Sequence, residues 1–177
     1  MKNKQKSFYK KFLLNYQEIS IEEQKKYLLE ILNWTMYFCK ENNIRCYLHA
    51  GTLLGAIRHK GFIPWDDDID IAMPRPDYEK FLKIMKTSNC DFYIANYENM
   101  KYYPTPFSKV CIKETEAVIN NKLCNYGLGI DVFPIDGFPK NLNDREKWFS
   151  EQKSIFFNLY LSNVQFELYG NKNPIKY

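Results

Sequence analysis

The sequence predicts an α+β protein in which helices flank a mixed β-sheet. Amphipathic helical stripes and short runs of β-forming residues both recur along the chain. They do not alternate strictly, as the units of an all-parallel α/β protein would. The length of 177 residues suits one domain of ordinary size. We therefore expect residues 1–177 to form a single domain.

The first elements follow from local signals. Ser20 and Glu23 form a capping box that begins a helix with an apolar stripe, and this helix should end near Asn42 or Asn43. Residues 44–50, IRCYLHA, are rich in β-formers and read as a strand that turns at Gly51 into a short helix, TLLGAIRH. The order strand, glycine turn, helix is thus predicted early in the chain.

The remaining elements are predicted in the same way. DDIDIAM reads as a second strand, which Pro74 and Pro76 close because proline cannot continue a ladder. The next segment, PDYEKFLKIMKTS, has the pattern of an amphipathic helix. Three weaker strand candidates follow, DFYIAN, FSKVCI and EAVIN, and then a stronger one at residues 129–135, GIDVFPI. A helix over residues 143–162 carries Trp148, Ile155, Phe156 and Leu159 on one face, and the tail GNKNPIKY has no usable pattern.

Composition excludes several classes of protein. Hydrophobic residues make up 45% of the chain and aromatic residues 17%, which is typical of a globular protein. The net charge of +4 is spread along the chain, so we expect no nucleic-acid partner. The basic N-terminus lacks the apolar core of a signal peptide, and no run of about 18 apolar residues could span a membrane. We expect a cytoplasmic protein, for which peripheral contact with the inner membrane surface stays open.

The cysteines agree with that location. The five cysteines include no C-x-x-C pair and no histidine at the spacing of a zinc site. We interpret Cys39, Cys46, Cys90, Cys111 and Cys124 as buried thiols in a reducing compartment.

The segment GFIPWDDDIDIAM carries the densest negative charge in the sequence. In a strand, Asp66, Asp68 and Asp70 would share one side while the isoleucines between and after them face the core. Carboxylates at i and i+2 have Cα atoms roughly 6.5 to 7 Å apart and can lean onto one cation or onto two metals. An acidic turn in solvent is the alternative. The strict alternation of Asp and Ile favours the metal site.

Two other segments could complete such a site. Asp131, between Ile130 and Val132, would add a third carboxylate if its strand neighboured the acidic one, although a lone aspartate is more often a residue at a ladder end. Gly51 and Thr52 lie at a strand-to-helix turn whose free N–H groups attract phosphate. An ordinary turn capped by threonine is equally compatible with that pair.

The stretch HAGTLLGAIRHKGFIPWDDDIDIAMPRPDYEKF, together with FSKV and GIDVFPIDGFP, resembles the LicD family of phosphotransferases, which includes the fukutin-related proteins. The resemblance covers roughly residues 20–140. It implies a nucleotidyltransferase-like fold with a mixed β-sheet. It also implies an enzyme that uses Mg²⁺ or Mn²⁺ to move a phosphoryl-alcohol group from a CDP-linked donor onto a sugar hydroxyl.

The family's residues map directly onto this sequence. The resemblance implies that Asp68, Asp70 and Asp131 hold the metal and that Gly51 and Thr52 line the phosphate site. Lys109 and Arg58 become phosphate partners. Bacterial members typically take phosphocholine from CDP-choline, release CMP and decorate glycans such as lipopolysaccharide or teichoic acid. A quaternary ammonium such as choline favours a cage of aromatic rings. The candidates for such a substrate-binding cage are Trp65, Tyr102, Tyr103 and Tyr126. The alternative is that these rings belong to the core, as many do in an aromatic-rich chain.

One departure from the family leaves alternatives open. Longer members continue into a segment with a Tyr-Gly-Asp motif and a later histidine, and we expect this chain to lack that C-terminal segment. An enzyme that transfers the nucleotidyl group itself would use the same carboxylates. An inactive nucleotide- or glycan-binding module would keep the fold without the chemistry.

Overall fold

The computed structural model describes residues 17–100, 103, 105–119, 122–123 and 126–169. The basic N-terminal stretch, Tyr102, Cys124 and the tail discussed above lie outside them, as do the side chains of Phe156 and Leu159. The described elements are, in chain order, α1 (Ile21–Glu41), β1 (Tyr47–Leu48), α2 (Ala50–Arg58), β2 (Asp70–Pro74), α3 (Arg75–Met85), β3 (Phe92–Ala95), β4 (Ser108–Ile112), β5 (Val118–Ile119), β6 (Lys122–Leu123), β7 (Gly129–Ile135) and α4 (Leu142–Tyr169).

The strands form a mixed sheet, which confirms the predicted α+β class. Five strands pair in the order β1-β2-β7-β4-β3, and β5 pairs with β6 in a separate two-stranded sheet. Strands β2 and β7 are parallel, whereas the other pairs in the larger sheet are antiparallel. The parallel pair is therefore central, with β4 beside it.

The first helix begins and ends where the sequence predicts. The Ser20 hydroxyl accepts a hydrogen bond from the backbone N–H of Glu23, and the Glu23 carboxylate accepts one from the N–H of Ser20. The helix ends at Asn42, whose N–H donates to the carbonyl of Phe38. Its buried face carries Leu28, Ile31, Thr35 and Cys39.

The main core lies on one face of the sheet. Ile71 and Val132 of the parallel strands are fully buried in one cluster with Ile31 of α1 and Phe81 of α3. Because strand side chains alternate, the next residues along the same strands point to the opposite face. The alternation therefore separates the core from the polar residues of β2 and β7.

The structure differs from the prediction at several elements. The strand predicted over residues 44–50 is reduced to Tyr47–Leu48, and the strand expected from residue 67 starts only at Asp70. The last helix runs on to Tyr169. On that helix Ile155 is 60% exposed, so it does not pack against the described core.

Cys39 and Cys111 are buried, Cys46 and Cys90 are half-buried, and all four are free thiols. Within the described part of the chain, no helix is long and apolar enough to cross a bilayer.

Candidate active site

Residues 66–69 form an acidic loop that leads directly into β2. Asp66 and Asp68 precede β2, so the expectation that they share a strand face with Asp70 is wrong. Pairing of β2 with β7 starts at Asp70, and the N–H of Asp131 donates to the carbonyl of Ile69 at 2.8 Å. Burial alternates only at the end of this loop, where Asp68 is exposed, Ile69 is 1% exposed and Asp70 is half-buried.

Three charged residues form a row across the sheet. Asp70 of β2 is in register with Asp131 of β7, and Asp131 is in register with Lys109 of β4. Neighbouring strands lie about 4.8 Å apart, so the three side chains start from adjacent positions on one face. The ammonium of Lys109 forms an ion pair and hydrogen bond with the carboxylate of Asp131. The fold thus brings Asp131 beside Asp70, and Lys109 beside Asp131.

The carboxylates of this row disturb one another. Burial, followed by the charges of Asp68 and Asp131, raises the pKa of Asp70 to about 6. Partial burial and the charges of Asp66 and Asp131 raise the pKa of Asp68. Burial also raises the pKa of Asp131, although Lys109 opposes this shift. These shifts show negative charges held close together in a partly dry place, where each disfavours ionisation of the next.

The start of α2 lies against the acidic loop. A Cβ added to Gly51 would lie 2.8 Å from Oδ2 of Asp66, so any larger residue would push that carboxylate away. The Thr52 hydroxyl accepts a hydrogen bond from the N–H of Asp70 at 2.8 Å, which fixes the backbone where β2 begins. Asp66, expected on one side with Asp68 and Asp70, thus lies beside the start of α2.

The turn before Gly51 is strained. Ala50 has a φ of 43°, in the left-handed region that residues with a Cβ avoid. Such conformations persist where the surrounding structure imposes them, often at functional sites. The strained residue begins the helix whose first turn faces the acidic loop.

The neighbouring loop is held in place by α1. The side-chain amide of Gln24 donates to the carbonyl of Asp67 at 2.8 Å, and the Lys25 ammonium donates to the carbonyl of Pro64 at 3.4 Å. Arg58, the phosphate partner implied by the resemblance, is exposed in the last turn of α2. The structure therefore places Arg58 at the opposite end of α2 from Gly51 and Thr52.

The aromatic residues are arranged differently from the predicted cage. Trp65 is 80% exposed, whereas the rings of Tyr103 and Tyr126 are buried and meet edge to face at 5.8 Å. Two rings that the sequence did not single out flank the charged row: Phe133 follows Asp131 by two residues on the same face, and Phe107 packs on it at 4.2 Å. The spacing of two residues from a site aspartate is the signal that could have found Phe133.

The oxygen-rich donor set has the chemistry that Mg²⁺ and Mn²⁺ prefer. Mutual repulsion among Asp68, Asp70 and Asp131 also fits a cation, because a cation would relieve it. Across the described residues, however, no three His, Cys, Asp or Glu side chains come close enough to hold an ion as they stand. The residues suit a divalent metal, and their side chains would have to adjust around it.

Known proteins have sequences similar to that of this chain. The model of the family described as LicD/FKTN/FKRP, nucleotidyltransferase domain, matches residues 43–166. The lipopolysaccharide cholinephosphotransferase LicD of Haemophilus influenzae is 34% identical over 126 residues, covering 69% of this chain and 46% of that protein. Protein RP689 of Rickettsia prowazekii is 31% identical over 118 residues, covering 51% of this chain and 44% of that protein.

The chain thus spans less than half the length of these two relatives. The matched region contains α2, the acidic loop, the parallel strands and Lys109, which together form the site described above. This chain belongs to the LicD/FKTN/FKRP family and contains its nucleotidyltransferase domain.

Proposed function

We propose that this chain carries the catalytic site of a metal-dependent transferase. It moves a phosphoryl-alcohol group, phosphocholine first among the candidates, from a CDP-linked donor onto a sugar hydroxyl of a cell-surface glycan precursor. The observation that carries the proposal is the register of Asp70 with Asp131, with Asp68 two residues before Asp70. Folding alone gives no reason to gather these carboxylates, because Asp131 raises the pKa of both Asp68 and Asp70 and Asp68 raises that of Asp70 further.

The chemistry needs charge neutralisation and in-line positioning more than covalent catalysis. A sugar hydroxyl oxygen forms a bond to the phosphorus that carries the alcohol, the bond from that phosphorus to the CMP oxygen breaks, and CMP leaves with the electron pair. Mg²⁺ or Mn²⁺, when bound, would neutralise the donor's diphosphate. Asp68, Asp70 and Asp131 are the residues that would hold it.

The chain's other residues position the donor and the proton. The free N–H groups of Gly51 and Thr52 at the start of α2 offer an anion site for a phosphate oxygen. Thr52 also fixes the position of Asp70 through the hydrogen bond to its N–H. A carboxylate of the charged row would accept the proton of the attacking hydroxyl, and Asp131 lies suitably at its centre.

The name of the Haemophilus relative supports choline phosphate as the transferred group and lipopolysaccharide as an acceptor. The test is to incubate the full-length protein with Mg²⁺, an acceptor glycan and a panel of CDP-alcohols, and to measure CMP. CMP release that requires both the metal and the acceptor is expected. Asp68→Asn should abolish it, whereas Asp67→Asn, an equal change at an exposed neighbour, should not.

The same assay separates the alternatives. Release of pyrophosphate from CTP in place of CMP from CDP-alcohols would identify nucleotidyl transfer. Binding of CDP-choline with no release of CMP under any condition would identify an inactive binding module.

A further inference from the structure

We propose that Lys109 is an internal counter-ion that changes partners when the substrate binds. It neutralises Asp131 in the free protein and moves to the donor's diphosphate when a divalent cation takes the Asp131 carboxylate. This inference rests on the function proposed above. It adds a change of ion-pair partner by Lys109 when the metal and the donor bind.

The ion pair of Lys109 with Asp131 belongs to the interior of the site. The two side chains are 17% and 13% exposed, so water screens their attraction poorly. They are also direct cross-strand neighbours, which lets the pair form without distorting the sheet. A pair of this kind persists until another charge replaces one of its members.

The pair occupies one oxygen, Oδ1, of the Asp131 carboxylate. Asp131 is in register with Asp70 on one side and with Lys109 on the other, and its carboxylate is bonded to Lys109. Among the described residues, three acidic side chains do not converge as they stand. A divalent cation that binds Asp131 through Oδ1 would displace Lys109 from that oxygen and repel its positive charge.

The surroundings of Lys109 suit a lysine that moves. Its ammonium lies 5.9 Å from the centre of the Phe107 ring and 5.6 Å from that of the Tyr126 ring. Such rings attract a cation and stabilise it partly when it leaves a carboxylate. A lysine is a compact charge on a flexible stem, which can exchange one anionic partner for another without a fixed geometry. The diphosphate of a donor held at the same carboxylates would be the nearest new anion.

The test is a pair of binding measurements on the full-length protein. Without donor, Lys109→Met should bind Mn²⁺ about tenfold more tightly than wild type, because the competing cation is gone. With Mn²⁺ saturating, the same variant should bind CDP-choline about tenfold more weakly, because a phosphate partner is lost. Lys109→Arg keeps the charge and should resemble wild type in Mn²⁺ affinity.

The opposite signs distinguish exchange from a structural role, which would weaken both ligands. If Lys109→Met fails to fold, Lys109→Gln serves instead, since its amide can still donate to Asp131 without carrying charge. Mn²⁺ affinity in the neutral variant no higher than in wild type would overturn the exchange, even where wild type releases CMP. Absence of Mn²⁺ binding by wild type would overturn the proposed function together with this inference.

Discussion

The two ends of the parallel pair β2–β7 carry charge in opposite ways. At the end where the strands begin, called the opening end, Asp70 and Asp131 are in register and Lys109 is bonded to Asp131. At the end where they finish, called the closing end, Arg75 and Asp136 form a bidentate ion pair, with both N–O distances at 2.6 Å. The guanidinium of Arg75 lowers the pKa of Asp136, whereas burial and nearby carboxylates raise that of Asp70 to about 6.

The difference separates stability from function along a single pair of strands. At the closing end each charge has a partner of opposite sign, and Arg75 is also bound by Glu79. That end contributes to stability and needs no ligand. At the opening end the carboxylates weaken the fold and gain a use only when a cation is bound. Substitutions at the two ends should therefore have opposite consequences.

The largest expected effect is loss of transfer from Asp70→Asn. The asparagine keeps the side-chain size but removes a negative charge where charge neutralisation is needed, so the rate of CMP release should fall by at least about 10³-fold, or ~4 kcal/mol in the barrier. The matched change at the closing end, Asp136→Asn, should leave the rate within about threefold of wild type, below ~1 kcal/mol. Equal losses from the two variants would break the comparison.

A second effect concerns pH and stability in the absence of divalent ions. The folded-state pKa of Asp70, about 6, lies above the ordinary 3.8, so the folded protein holds this proton more tightly. The stability that protonated Asp70 contributes to the folded protein is thus lost as pH rises from 3.8 through about 6. At pH 7 Asp70→Asn should be more stable than wild type by on the order of 1–2 kcal/mol. Urea unfolding in EDTA at several pH values measures this, and a variant less stable at pH 7 would contradict it.

The closing end should respond in the opposite direction and more weakly. Asp136→Asn removes a bidentate partner of Arg75 and should lower the free energy of unfolding by about 0.5–1 kcal/mol. Because its pKa is lowered, wild-type Asp136 stabilises the fold above its unfolded pKa and loses this effect as pH falls. Glu79→Gln is the control, since Glu79 contacts Arg75 through one oxygen at 3.0 Å and should matter less.

The smallest effect comes from the turn beside the site. A non-glycine residue in the left-handed region costs roughly 1–2 kcal/mol, and glycine in its place loses part of this gain to chain entropy. Ala50→Gly should therefore stabilise the protein by about 0.5 kcal/mol. The interior change Ala56→Gly on the same helix should destabilise it by about 1 kcal/mol. A loss of stability from Ala50→Gly would show that the turn carries no strain.

Local signals in the sequence predict where most elements lie, although not the full bounds of β1 and β2. The capping box of Ser20 and Glu23 marks the start of α1, and the run GIDVFPI coincides with β7. Alternation also separates Ile71 and Val132, which are buried, from the charged residues beside them. These features depend on periods of two to four residues, which a sequence displays directly.

The composition of the site depends on contacts that no local pattern specifies. That Asp131 faces Asp70, and that Lys109 faces Asp131, is a matter of register between strands distant along the chain. Pairing also decides where β2 begins, because the alternation of Asp and Ile starts before Asp70 whereas the pairing with β7 starts only there. The sequence does not distinguish Phe107 from the many other aromatic residues, because only the fold places its ring against Phe133.

The pairing of β2 with β7 also determines when the site can form during synthesis. Arg75 and Asp136, at the closing end, are 61 residues apart in the chain. Closing so long a loop costs entropy before any contact repays it, so the parallel pairing is expected to be a late and slow step in folding. When β1, α2 and β2 of a nascent chain have left the ribosome, the edge of β2 that later pairs with β7 is still exposed. The acidic residues of its loop, which repel one another and pair poorly, would keep that waiting edge soluble until β7 emerges.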